Sequence, residues 1–191
     1  LVGSEMCIRD RAEPEQEGLG QKRAALVDSE GTQWLITQEG RVALPDPSST
    51  EGRVVRRAIG VEDSTHTWPV PPELLNAFEE LPPLNFPADP PEVIDTGQGL
   101  WARTAKGVAE LTPTQAEMLT GLGAKESAAS PQEVAALADA PLNLNLPSAS
   151  FRFLNPDDGW MCAGNEGGGV VVPAQAGTVA LAGKAVAHRF G

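Results

Sequence analysis

Short apolar runs separated by turn residues dominate the first part of the chain. The runs at 24–27 (AALV) and 34–37 (WLIT) each end at a turn sequence, DSEG at 28–31 and QEG at 38–40, and the run at 41–44 (RVAL) alternates polar and apolar residues. Apolar runs of this length between turn residues are typical of adjacent antiparallel strands. The pattern predicts a three-stranded meander.

The hydrophobic spacing then changes from a strand period to a helix period. Ser48 with Glu51 three residues later forms a capping-box pattern, and Gly60 is a typical helix end. Four apolar residues between them fall on one helical face: Val54, Val55, Ala58 and Ile59. A helix capped by Ser48 and ended by Gly60 is predicted.

A second copy of this pattern lies 67 positions further on, the distance from Trp34 to Trp101. The aligned identical pairs are Asp28 with Asp95, Trp34 with Trp101, Thr37 with Thr104, Gly40 with Gly107, and Leu44 with Leu111. The second copy also runs into a helix, with Thr112 as its cap, Pro113 at the first position and Gly123 at its end. We interpret the two segments as an internal repeat.

The predicted fold class is α+β, with tandem small β-meander-plus-helix repeats joined by a proline-rich connector, and part of a β-rich central domain. A short helix is expected after Pro72, and Ser130 with Glu133 predicts another. The predicted segments are 12–61 (first repeat), 62–91 (a stiff connector with its short helix), 92–125 (second repeat) and 126–191 (incomplete central domain with four strands between 151 and 181).

Residues 1–11, LVGSEMCIRDR, are treated separately. They have no amphipathic period and resemble the translation of a sequencing-library adapter, so we interpret them as an artefact. The alternative is a natural disordered terminus. With Met6 in that string and no other initiator before the meander, the chain is expected to be an internal fragment of a longer protein.

Composition narrows the function classes. The 191 residues have 14 basic and 26 acidic side chains, a formal charge of -12, which argues against a nucleic-acid partner because a phosphate-binding face must be basic. Gly (20) and Pro (17) are frequent, as in a loop-rich folded protein. No uninterrupted apolar run reaches the length of a membrane span.

Catalytic and metal-binding patterns are not found in the sequence. The segment from Gly177 to Ala185 departs from a phosphate-binding loop in both its glycine spacing and its missing hydroxyl, and Gly167–Gly169 is interpreted as a turn. His66 and His188 lie far apart without a second ligand at metal spacing. We therefore assign no catalytic, cofactor-binding or metal residue.

Six residues are instead predicted to have a structural role: Trp34, Gly40, Leu44, Trp101, Gly107 and Leu111. The paired tryptophans could serve as sugar-binding aromatics, but equivalent core anchors are favoured. Asp28 and Asp95 are interpreted as turn formers. Cys162 lies in an apolar run and is either a buried thiol or half of a disulfide; with Cys7 set aside, its partner would lie outside this sequence.

Three blocks resemble the EccB family of type VII (ESX) secretion systems: the segment at 34–44 (WLITQEGRVAL), the helix end at 58–61 (AIGV) and the segment at 68–77 (WPVPPELLNA), which continues into prolines. The last block is the most specific. The resemblance extends over about residues 24–191, and Cys162 falls where members of the family have the second half of a disulfide.

The resemblance implies a subunit with one membrane-spanning helix and a long extracytoplasmic part built of small repeats, of which this chain would be the middle. Its implied role is that of a scaffold, in contact with the other core membrane components and with further copies of itself. The family is also described as having ATPase activity, so ATP is implied by the resemblance alone, without a matching motif here. The alternative is a cell-wall-binding repeat module, in which both tryptophans would lie in open grooves.

Overall fold

The structure is a computed structural model, which describes residues 4–5, 17–164, 167–172 and 187–188. The strands are β1 Ser4–Glu5, β2 Glu17–Gly18, β3 Arg23–Ser29, β4 Thr32–Ile36, β5 Arg41–Ala43, β6 Thr67–Pro69, β7 Glu92–Asp95, β8 Leu100–Thr104, β9 Gly107–Leu111, β10 Glu126–Ala128, β11 Arg152–Phe153, β12 Trp160–Ala163, β13 Gly169–Val172 and β14 Ala187–His188. The helices are α1 Thr50–Ile59, α2 Pro72–Leu75, α3 Pro113–Gly121 and α4 Pro131–Ala135, with a 3₁₀ turn at Pro156–Asp158. The α+β class is confirmed.

The chain divides into two compact units. The first unit contains Leu1–Leu44, Glu62–Pro83 and Phe151–Gly191, and the second contains Pro45–Val61 and Leu84–Ser150. This division is based on contacts between residues in the folded chain. The boundaries of the four segments predicted from the sequence, at 12–61, 62–91, 92–125 and 126–191, stay predictions.

The predicted meander forms the centre of the first unit. β3 pairs with β4, and β4 with β5, all antiparallel. The other edge of β3 carries two parallel strands one after the other, β11 at its start and β6 at its end. The sheet is therefore assembled from three separate stretches of the chain.

The sheet of the second unit has the order β10-β7-β8-β9. β7, β8 and β9 form an antiparallel meander, and β10 is added parallel to β7. α3 contacts all three strands of the meander, and α1 packs against α3.

Both sheets follow one order of elements: a meander, a helix, a strand parallel to the first strand, and a short helix. In each, the chain then returns to the third strand, where isolated parallel bridges join Arg41 to Glu80 and Val108 to Asp139. That the two units arose as an internal repeat of one sequence stays a prediction.

A third sheet lies in the first unit, with the order β1-β14-β12-β13-β2. β12 and β13 form an antiparallel hairpin in which Cys162 opposes Val170. β12 and β13 correspond to two of the predicted tail strands; the predicted strand at 178–181 lies outside the described residues.

The hydrophobic core of the first unit joins the meander to this third sheet. Trp68, Leu74 and Met161 are almost completely buried in one cluster, and the Trp68 indole N–H donates to the Leu154 carbonyl oxygen at 3.2 Å. A buried indole needs such an acceptor, since its desolvated N–H would otherwise destabilise the fold. The cluster also contains Leu19, Ala25, Val27, Ile36, Val70, Leu75, Phe78 and Leu154.

The prediction of Ser48 as the cap of the first helix is wrong. The structure has Ser49 at this position, accepting the Gly52 N–H, while the Ser48 hydroxyl donates to Asp46 Oδ1 at 2.6 Å. The Ser48 backbone N–H also donates to Asp46 Oδ1, at 2.7 Å, so Ser48 belongs to the turn before the helix, and Ser49, whose hydroxyl donates to the Asp46 carbonyl oxygen at 2.7 Å, is placed at the cap. Gly60 ends the helix as predicted, with a left-handed φ of 99°.

The other caps agree with the sequence. Thr112 with Gln115, and Ser130 with Glu133, form reciprocal capping boxes at α3 and α4. α3 ends at Gly121, and Gly123, the residue predicted to end it, has a left-handed φ of 101°.

The proline-rich stretch has no strand or helix between residues 82 and 91. It is fixed by hydrogen bonds, since the Asn85 backbone N–H donates to the Asn145 carbonyl oxygen at 3.0 Å and its amide Nδ2 donates to that of Asn143 at 3.2 Å. A second proline-containing stretch therefore holds the connector.

Candidate interaction surfaces

Trp34 is half-buried and packs against the core of the first unit. The Arg41 guanidinium carbon lies 4.8 Å from its ring centroid, and Arg41 Nε donates to the Phe78 carbonyl oxygen at 3.2 Å. Arg41 also pairs with Glu80, with 3.3 Å between Nη2 and Oε2. A cation therefore lies over the Trp34 ring.

Trp101 has the corresponding place in the second unit. It is half-buried and packs against the cluster of Ile94, Val108 and Val134. A sugar-binding role would require open indole faces, so the packing of both tryptophans does not favour the cell-wall-binding alternative.

Gly40 and Gly107 occupy equivalent tight positions. Their φ angles are 153° and 152°, and a Cβ would overlap the carbonyl oxygen of Glu79 in one case and of Ala138 in the other. The next residue in each sheet donates its N–H to that same oxygen, Arg41 at 2.7 Å and Val108 at 2.8 Å. Glycine is required because the backbone lies against the returning chain.

Leu44 and Leu111 are both buried, with 5% and 6% of their surface exposed. The two aspartates form turns, since Asp28 Oδ1 accepts the Gly31 N–H and Asp95 Oδ1 accepts the Gly97 N–H. The interpretation of these carboxylates as turn formers is confirmed.

Cys162 is fully buried and disulfide-bonded. Of the two cysteines of the chain, the other is Cys7, which lies outside the described residues. The structure therefore does not require a partner from outside the sequence.

The Gly167–Gly169 run forms a tight turn against the meander. Glu79 N–H donates to the Gly167 carbonyl oxygen, and Gly169 N–H to that of Thr37, both at 2.8 Å. A Cβ at Gly168 would overlap the Gln38 carbonyl oxygen. The glycine run in the sequence predicts the turn but not this packing role. The segment from Gly177 to Ala185 lies outside the described residues.

Hydrogen bonds lower the pKa of the loop carboxylates Asp46 and Asp158, as Ser130 does for Glu133 in the capping box of α4. Hydrogen bonds from the Ser48 side chain and backbone lower the pKa of Asp46. Burial raises the pKa of Asp158, but this is outweighed by hydrogen bonds from Asn155 and Arg152 and by the charges of Arg152 and Arg23. Both carboxylates hold loops in place.

A cleft of about 440 Å³ lies within the second unit. Its lining is mainly apolar, with charged side chains at Arg57, Glu117 and Glu126. The remaining lining residues are Val54, Val93, Leu100, Pro113, Ala116, Thr120 and Gly121. The sequence does not predict this cleft, because its walls come from three separated segments.

The described part of the chain has neither a metal cluster nor a membrane-spanning helix. There, no three or more His, Cys, Asp or Glu side chains are grouped to hold a metal ion, and no helix has the length and apolar character of a membrane span. The His66 ring packs edge-on against Trp68, with 5.0 Å between centroids. ATP, implied by the resemblance, stays a prediction.

The arrangement of sheets and helices defines the class of protein. The chain is similar to a chain of the periplasmic assembly from the ESX-5 inner membrane complex, at 18% identity and a TM-score of 0.59 over 82% of this chain and 46% of the other. It is also similar to a chain of an intact ESX-5 inner membrane complex, at 16% identity and a TM-score of 0.59 over 99% of this chain and 45% of the other. A third similar structure is the EccB3 dimer from the ESX-3 core complex, at 18% identity and a TM-score of 0.58 over 97% of this chain and 49% of the other. The fold is that of chains in ESX complexes.

The family model described as "Type VII secretion system ESX-1, transport TM domain B" matches residues 4–99, just over half of the 191 residues. The chain belongs to this EccB family. It covers about half the length of the solved chains it resembles. No curated protein matches it.

Because the family match begins at residue 4, it includes most of the segment attributed to an adapter. The origin of that segment stays a prediction.

Proposed function

We propose that this chain is the extracytoplasmic scaffold portion of an EccB-like subunit of a type VII secretion system, and that it supports assembly of the protein-export complex. The likeness of its fold to chains of ESX inner membrane complexes, across almost its whole length, carries the proposal. The family match to a transport component supports it.

The proposed partners are the other core membrane components of the system and a second copy of the subunit. A solved neighbour that is itself an EccB dimer supports the contact between copies. In the full-length protein we expect one membrane-spanning helix, with this chain on the outer side. The neighbour described as a periplasmic assembly supports that side of the membrane.

The geometry suits a scaffold because the chain connections are tightly held. The returning segments bind the third strand of each meander through backbone hydrogen bonds, and the proline-rich connector is bonded at Asn85. Segments held in this way lose little conformational entropy when they bind a partner, so contacts between subunits can form at a low entropic cost.

The side of the membrane can be tested with single cysteines in the full-length subunit. Lys106→Cys, in the exposed turn between β8 and β9, should react with a membrane-impermeant maleimide in intact cells. A cysteine placed on the opposite side of the membrane span should react after lysis alone. Labelling of Lys106→Cys that also requires lysis would contradict the proposed location.

Assembly can be tested by purifying the tagged full-length subunit from membranes in mild detergent. We expect the other core membrane components to copurify, and export by the secretion system to stop when residues 24–164 are deleted. Recovery of the subunit alone, together with unchanged secretion, would contradict the scaffold function.

A further inference from the structure

The cleft in the second unit has an apolar floor between two helices. Val93 of β7 and Leu100 of β8 line it from the sheet, while α3 and α1 contribute Ala116 and Val54. Val93 and Ala116 are buried. The volume of about 440 Å³ is within the range of sites that bind small ligands or the side chains of a peptide.

One wall of the cleft is acidic. Glu117 and Thr120 are one turn apart on α3, and the Thr120 hydroxyl donates to Glu126 Oε1 at 3.4 Å. Both carboxylates therefore lie along the same side. Within the described residues, neither Glu117 nor Glu126 forms an ion pair. Arg57 lines the cleft from α1, the other helix.

The cleft also reaches the edge of the sheet, since Glu126 belongs to β10. The Lys125 carbonyl oxygen accepts the Val93 N–H at 2.8 Å, and Ala129 N–H donates to the Asp95 carbonyl oxygen at 3.2 Å. Because backbone groups alternate in direction along a strand, those of Glu126 and Ala128 point away from β7. β10 ends the sheet order, and both residues are exposed.

We propose that β10 and the cleft bind an extended peptide segment that carries a lysine or arginine between small apolar residues. The segment adds a strand to β10 through the backbone groups of Glu126 and Ala128, and places alternate side chains in the cleft. Its basic group lies at the acidic wall formed by Glu117 and Glu126, and its apolar side chains contact Val93 and Leu100.

Two features together select this occupant. An outward-facing backbone edge is complementary to an extended peptide, whereas a helix has already paired its own backbone groups. The carboxylates of Glu117 and Glu126 favour a peptide segment with a positive charge. The proposal uses the second unit alone and is independent of any role in secretion.

The test titrates the full 191-residue chain, labelled with ¹⁵N, with the peptide Thr-Val-Thr-Lys-Thr-Val-Thr and with the same peptide carrying Glu in place of Lys. We expect saturable binding of the lysine peptide in the micromolar to low millimolar range, on the order of ordinary strand-addition contacts. Amide shifts should be concentrated at β10 and α3. The glutamate peptide should bind at least about fivefold more weakly, as expected for exposed charge pairs.

Charge-altered variants provide the controls. Glu117→Gln with Glu126→Gln should weaken binding of the lysine peptide, while Glu110→Gln, an exposed carboxylate on β9, should leave it unchanged. Glu117→Lys with Glu126→Lys should reverse the preference between the two peptides, and its spectrum reports directly whether the chain is folded. Equal binding of both peptides, shifts confined to other surfaces, or no saturation at millimolar concentration would each overturn the proposal.

Discussion

At the scale of single residues, glycines decide where chain segments can approach one another. Gly40 and Gly107 lie against the carbonyl oxygens of Glu79 and Ala138, and Gly168 lies against that of Gln38. A run of glycines is therefore explained here by backbone packing. Sequence alone indicates a turn, because the segment on the other side of the contact is remote in the chain.

Gly168→Ala is expected to destabilise the first unit by about 2 kcal/mol, because its Cβ would overlap the Gln38 carbonyl oxygen and the backbone would have to shift. Gly99→Ala is the control, since a Cβ there would meet Trp101 Nε1 at an ordinary 3.5 Å. Chemical denaturation followed by circular dichroism measures both. Equal midpoints for the two variants would show that the turn is not tightly packed.

The carboxylate of Asp158 connects stability to pH. Its folded pKa lies below the ordinary value of 3.8, so folding favours the ionised form. The resulting stabilisation is fully present above about pH 4 and is lost as the pH falls through the folded pKa. Because Arg152 is more than half exposed in this ion pair, we expect about 1 kcal/mol or less.

Asp158→Asn should therefore reduce the melting temperature at about pH 6 and have little effect near about pH 2. Melting curves across this range, with the neighbouring Asp157→Asn as control, measure the difference. A reduction for Asp158→Asn that is the same at both pH values would assign its effect to packing and not to ionisation.

At the scale of elements, short motifs predicted most helix starts correctly. Thr112 and Ser130 cap their helices as expected because each capping box is complete within four residues. The prediction failed for Ser48 because its backbone N–H and hydroxyl both donate to Asp46 in the turn before α1, so the helix is capped one residue later. Which helix α1 packs against could not be predicted, since an apolar stripe does not specify its partner.

The contact between α1 and α3 depends on Gly121. A Cβ at this position would lie 2.9 Å from Val54 Cγ1, closer than side chains normally approach. Gly121→Ala should destabilise the second unit by about 1 kcal/mol despite the better helix propensity of alanine. Unfolding free energies of this variant would measure the effect.

Val54→Ala provides the matching test, because it removes the methyl groups that the new side chain of the Gly121→Ala variant would meet. The double variant should be more stable than the sum of the single changes predicts, with a coupling of about 1 kcal/mol. Additive effects would mean that the helices separate freely at this point.

At the scale of the whole molecule, the full-length gene decides the origin of residues 1–11. We expect amplification outward from the 34–77 coding region in the source DNA to replace LVGSEMCIRDR with native residues that include a second cysteine and, further upstream, one apolar span of about 20 residues. An upstream frame that retains Cys7 would contradict the adapter interpretation. A cleavable signal peptide or a catalytic domain in place of the span would contradict the membrane-anchored subunit.

Short stretches of the sequence were enough to predict the meanders, the turns at Asp28 and Asp95 and the capping boxes of α3 and α4, and they carry the resemblance to the EccB family. These features depend on neighbouring residues and are therefore visible in short windows of the chain. Other features become visible only in the folded chain: β6, β10 and β11 join their sheets in parallel, α1 packs on α3, and a cleft forms beside β10. Such contacts join segments far apart in the chain. An apolar stripe or an unpaired strand edge does not specify which distant segment it will contact, so the contact cannot be predicted from a short stretch of sequence.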